Sequence, residues 1–250
     1  MKSKVEKSEK YNWAIVIDET DLRRLDETIK STLNSSNEIE SIKLNYTIKL
    51  LDDSIIRTSD INELVNEHNS KTRSIEYIDI SASSKNYSNE INVSLGSRYF
   101  QNNVISYSIT GDSRDWVYLT ASKIEERVKN LKQWYSFLIK LDFLGLETMA
   151  LFFLLGFVFL QPREEVKKNI SLTEYTKVVI ILITILSILY LIYKFIKFGC
   201  NYFFPKIVFR LGEGIKRHDT VVDLRSKVFW GIFVALLIGV ISGLILIKLS

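Results

Sequence analysis

The chain has 250 residues, enough for one or two domains, and a formal net charge of +4. Hydrophobic content of 47% and charged content of 25% are ordinary for a globular protein, and the single cysteine, Cys200, excludes an intrachain disulfide. With only two histidines beside that thiol, most metal sites built from His and Cys ligands are excluded as well.

In chain order, residues 1–10 are polar and read as a flexible N-terminus. They are basic at the start but carry no apolar core of a signal peptide. Residues 11–140 read as one domain. Trp13–Ile17 is a short apolar run with the look of a buried strand. Thr20 or Asp21 can cap a helix in which Leu22, Leu25, Ile29 and Leu33 recur at spacings of three and four. Ile39–Leu51 and Ser54–Thr58 read as strands about an Asp52-Asp53 turn, and Ser59 opens a short helix. Ile75–Ser81, Glu90–Leu95 and Val104–Thr110 read as three more strands. A long helix follows from Ser113 or Asp115, with Val117, Ile124, Val128, Leu131, Tyr135 and Leu138 along one stripe. The order predicts an α+β cytoplasmic domain, a mostly antiparallel sheet with helices on one face. Its last helix leads toward the apolar half, so a ligand that shifted the domain would act on that helix first.

Three apolar runs then approach the 20 or so residues that a helix needs to cross a bilayer: 141–160, 178–196 and 228–247. They predict three transmembrane α-helices after the α+β domain, with a basic loop at 197–227. Residues 1–140 hold 20 Lys and Arg against 21 Asp and Glu, whereas residues 141–250 hold 13 against 8. The positive excess therefore sits in the apolar half. The loop between the first two runs has four cations and the segment 194–227 has eight. The positive-inside rule places the N-terminal domain and the basic loop in the cytoplasm of a multi-pass protein in the plasma membrane. The same charge suggests a bilayer with anionic headgroups as partner and argues against nucleic acid.

Within the basic loop, Lys206, Arg210, Lys216 and Arg217 are the candidate membrane-surface or anion contacts. Gly212 and Gly214 between them permit either a phosphate cradle or a connecting turn, and the turn is the favoured reading because Glu213 and Asp219 dilute the site. Thr220-Val221-Val222-Asp223 has the form of a helix start. Gly231, Ala235, Gly239 and Gly243 recur four apart and are candidate helix-packing positions, within the chain or in a homo-oligomer. Glu147 and Lys194 are ionisable residues within the runs and are expected to pair as an intramembrane charge couple.

No nucleotide loop, zinc-protease motif or calcium loop occurs, and no metal or cofactor is expected. Ile109–Ser113 resembles the nucleophile block of GDSL-type esterases, but the DxxH element that would supply the base is missing. Ser113 is read instead as a helix cap. The expectation is a non-enzymatic membrane protein whose cytoplasmic domain binds or senses an unidentified cytosolic protein or ligand. The alternative is an oligomeric membrane effector or small channel assembled through the third run.

Overall fold

Alternation of apolar and polar side chains builds the centre of the molecule. A computed structural model describes residues 4–34, 42–85, 87–96, 104–140 and 172–249. The chain divides into two compact units, one of residues 1–136 with 205–250 and one of residues 137–204. In the first unit, strands β1 (Val5–Tyr11), β3 (Lys43–Leu50), β4 (Ile55–Thr58), β5 (Ile75–Ser83), β6 (Glu90–Gly96) and β7 (Ile105–Gly111) form one sheet. Its order is β1-β7-β6-β5-β3-β4, and every pair is antiparallel. Period two puts Tyr46, Ile48, Ile78, Ile80, Ile91 and Ile109 on one face, all fully buried. The other face carries small polar residues in register across the strands, Asn45 beside Ser81, Asn92, Ser108 and Ser8.

Helices α1 (Glu19–Asn34) and α3 (Arg114–Asn130) cover the apolar face. Leu22, Leu25, Ile29 and Leu33 of α1 and Val117, Ile124 and Val128 of α3 are buried in the same core as the strands. Helix α1 is capped by Asp18, two residues ahead of Thr20, the earlier of the two expected caps. Asp18 Oδ1 accepts from the Asp21 amide at 2.9 Å, and Asp21 Oδ2 accepts from the Asp18 amide at 3.3 Å. Burial raises the Asp18 carboxyl, but hydrogen bonds from Thr20 and Asp21 outweigh it and hold the group below the usual carboxylate range. A short helix α2 (Ile61–Val65) carries the chain from β4 back across to β5.

The expected mostly antiparallel sheet with helices is therefore present, and four features differ from the sequence reading. Val5–Tyr11, expected to be flexible, is the edge strand β1, held by seven residue pairs to β7. Its Lys and Glu side chains hide the strand pattern and suit an edge exposed to water. Helix α3 ends at Asn130 with Leu131 as its C-cap instead of running on. The stripe residues Leu131 and Tyr135 continue past the helix because both are buried in the domain. Beyond a five-residue helix α4 (Ser136–Lys140), the description resumes with α5 (Leu172–Phe203), strand β8 (Ile207–Arg210) and α6 (Gly214–Leu249). Helix α6 begins at Gly214, six residues ahead of the expected start.

The fourth difference is the largest. Among the described residues, no helix is long and apolar enough to cross a membrane. A crossing requires about 20 predominantly apolar residues in one continuous helix. The run at 141–160, with Glu147, lies outside the described residues. On that finding the three transmembrane helices are corrected. So are the multi-pass plasma-membrane placement, the membrane-bound sensor and the membrane effector or channel derived from them.

Candidate functional site at the base of the α+β domain

Strand β2 (Ile15–Asp18) stands outside the large sheet and organises the site. On one side it pairs in parallel with β8, Ile15 opposite Ile207 through Asp18 opposite Arg210. The Ile15 amide donates to the Lys206 carbonyl at 2.9 Å. On its other side, Ile15 bridges to Lys132, and the Gln133 amide donates to the Ala14 carbonyl at 2.9 Å. The Ser136 hydroxyl accepts from the Ala14 amide at 3.1 Å and donates to the Gln133 carbonyl at 2.6 Å. The segment leaving the domain at 131–136 and the segment returning at 205–211 are thus fastened to one strand. Tyr135 closes the base directly, its hydroxyl donating to the Pro205 carbonyl at 3.3 Å. Arg225 of α6 lies over the rings of both Trp134 and Tyr135, 5.7 and 5.4 Å from their centroids.

The returning segment is part of the core. Phe209 and Leu211 are buried in the same cluster as the sheet and helices. Asn69 fixes them. Its side-chain amide donates to the carbonyls of Phe209 at 2.8 Å and Leu211 at 3.2 Å, and its Oδ1 accepts from the Ile75 amide at 2.9 Å. Arg217 donates to the Asn69 carbonyl at 2.7 Å and to Oδ1 at 3.1 Å. Every polar group of that carboxamide is therefore used, at a residue only 2% exposed. Asn69 sits at φ +45°, a left-handed conformation that asparagine tolerates better than most residues.

Gly212 and Gly214 let the two loops approach. Gly212 has φ +48°, and a Cβ there would stand 2.4 Å from the His68 carbonyl oxygen. A Cβ on Gly214 would stand 2.3 Å from Asn69 Nδ2 and 2.4 Å from the Phe209 carbonyl oxygen. The space a phosphate cradle would need is filled by the loop Glu67–Asn69, so the glycines serve the connecting turn. Of the four cations named from sequence, the structure engages two. Arg210 pairs with Asp219 at 3.1 Å, and Arg217 is bound to Asn69. Lys206 and Lys216 have exposed side chains.

The remaining sequence candidates are dispersed. Lys194 lies over the Tyr190 ring on its own helix, 5.5 Å from the centroid, while Glu147 is outside the described residues. At Gly231 and Gly239, no described atom lies within 4 Å of where a Cβ would stand, and Ala235 is exposed on the same helix. The surroundings of Gly243 are outside the description. Ser113 caps α3, its hydroxyl accepting from the Trp116 amide at 3.4 Å. Among the described residues, no group of three or more His, Cys, Asp or Glu side chains could hold a metal ion. A cavity of about 30 Å³ between α1 and α3, lined by Leu22, Leu25 and Val128 together with Asp21, Arg24 and Arg127, has room for one water.

Sequence reasoning missed Asn69. It lies in a polar loop, Asn66–Ser70, with no periodicity to single it out, and its partners are some 140 positions away. No family model matches the chain, and no curated protein or solved structure matches it significantly.

Proposed function

We propose that the chain is a non-enzymatic interaction protein, an α+β domain clamped to a helical arm that associates with the arm of a second copy. The observation that supports this is the state of α6. It starts inside the clamp, yet Phe229, Trp230, Ile232, Val234, Leu236 and Ile238 along it are exposed. A helix that is apolar on all sides is one that something covers, and exposed apolar surface of this extent marks a contact.

A second copy fits the chemistry. Gly231, Ala235, Gly239 and Gly243 share one face of α6, and the open space at Gly231 and Gly239 admits another helix backbone. The same stripe on a second copy makes a two-fold contact self-complementary. The clamp gives such pairing a consequence, because the arm is continuous with the core through Phe209 and Leu211.

The test uses the full chain, kept dispersed in a mild detergent. Light scattering should report a dimer or larger species, and Ala235→Cys in a Cys200→Ser background should form an intermolecular disulfide. Gly239→Leu should weaken self-association about tenfold or more. A chain that stays monomeric at every concentration and yields no crosslink overturns the reading.

A further inference from the structure

We propose that the clamp is acid-sensitive, with His218 as the group that releases it. His218 lies early in α6, its side chain 18% exposed. Its Nδ1 is withdrawn from solvent and has no hydrogen-bond partner among the described residues. The nearest charge is Asp219 Oδ1, 3.5 Å from that nitrogen. The same carboxylate is already taken by Arg210 of β8 at 3.1 Å. Arg225, seven residues further along α6, bridges to Tyr135 and Trp134 on the segment that leaves the domain.

The charges around His218 are therefore Arg210 from β8 and Asp219 and Arg225 from α6 itself. Arg225 also lies over Tyr135 of the 131–136 segment, whose phenol burial pushes up, so that it stays neutral through the physiological range. A proton on His218 would add a cation to a site already facing the guanidiniums of Arg210 and Arg225, where the Asp219 carboxylate is engaged by Arg210. It would do so where β8 meets α6, the joint that keeps Phe209 and Leu211 in the core. Burial lowers the imidazole's proton affinity. Asp219 works against that shift, and Arg210 and Arg225 add to it, leaving the group below the ordinary histidine value.

The sign follows from linkage. The clamped form binds fewer protons than the open form between the lowered value and the ordinary one, about 6.5. Closure is therefore fully favoured above that range and weakens as pH falls through it. The other histidine, His68, is exposed and contributes its carbonyl to the clamp, accepting from the Glu213 amide at 2.9 Å. Its side chain is the control.

Hydrogen exchange on the full chain tests the device, comparing about pH 7.5 with about pH 5.5 after correction for intrinsic rates. Peptides spanning 205–217 and 66–70 should lose protection about threefold or more at the lower pH in the wild type. His68→Gln should behave like the wild type, and His218→Gln should keep its protection at both values. Unchanged protection in the wild type, or an equal loss in His218→Gln, overturns the proposal. Should His218→Gln fail to fold, the imidazole resonances of His218 in the wild type decide, and a midpoint at or above the ordinary value overturns it.

Discussion

The α+β domain and the helix α6 are both rich in apolar residues, and they dispose of them in opposite ways. In the domain, Ile17, Ile48, Ile80 and Ile109 are fully buried, whereas Phe229 and Leu236 of α6 are 65% and 64% exposed. Apolar content alone does not separate the two regions, but period does. Strands with period two and helices with one apolar stripe each turn a single face to a neighbour, and those faces meet. Helix α6 beyond Val228 has no polar face, so packing on one side would leave the rest uncovered. The domain completes itself, and the arm requires a surface that the described residues do not provide. The segment 205–217 joins the two regimes and belongs, by its contacts, to the first.

That assignment can be broken most directly by cutting the chain. Residues 1–136 expressed alone lose β8 together with Phe209 and Leu211. Denaturant unfolding should show a loss of about 3–6 kcal/mol from those two side chains. Adding a peptide of residues 205–217 should restore much of it. If the fragment is as stable as the intact domain, the returning segment is an ornament of the fold. Asn69→Ala comes next. It leaves the Phe209 carbonyl and the Ile75 amide without their Asn69 partner, while the Leu211 carbonyl keeps the Gly214 amide, and should cost about 2–4 kcal/mol in chemical denaturation.

Gly212→Ala should cost about 2 kcal/mol, since the residue has positive φ and its Cβ would meet the His68 carbonyl. A thermal midpoint unchanged in this variant would mean that the two loops separate easily. Ser113→Ala removes only a helix cap and should cost about 1 kcal/mol. The smallest effect sharpens the contrast from the other side. Leu236→Ala, on the exposed arm, should change the stability of the α+β domain by no more than about 0.5 kcal/mol. A drop as large as that of a buried leucine would show that the arm packs on the domain.

The contrast also explains which parts of the molecule could be read in advance. Strands β3 to β7 and helices α1 and α3 carry their period in consecutive residues, and each was legible. Strand β1 was not, because Glu6–Lys10 between Val5 and Tyr11 is entirely charged or polar, and the strand pairs through its backbone with Ile105–Gly111. The end of α3 was hidden for a related reason. Leu131 and Tyr135 keep the helical spacing after the helix has stopped, and it is the bridge from Lys132 to Ile15 that turns the chain. The roles of Gly212 and Gly214 were narrowed to two readings, and only the close approach of His68 and Asn69 chose between them. The second and third apolar runs were legible as helices, but reading them as membrane spans went further than the described residues support.

What the sequence determined by itself is the set of local shapes: an antiparallel α+β domain followed by long helices. Side-chain period and turn chemistry act over a few residues and need no knowledge of partners. What only the tertiary structure decided is the clamp. Ile207–Arg210 is four residues long, and its pairing strand lies about 190 positions earlier. Its place depends on which backbone groups of β2 are still free after the sheet has formed, on Asn69 meeting two distant carbonyls, and on two glycines standing where no side chain fits. Those conditions are set by atoms brought together from far along the chain, and no local pattern of residues encodes them.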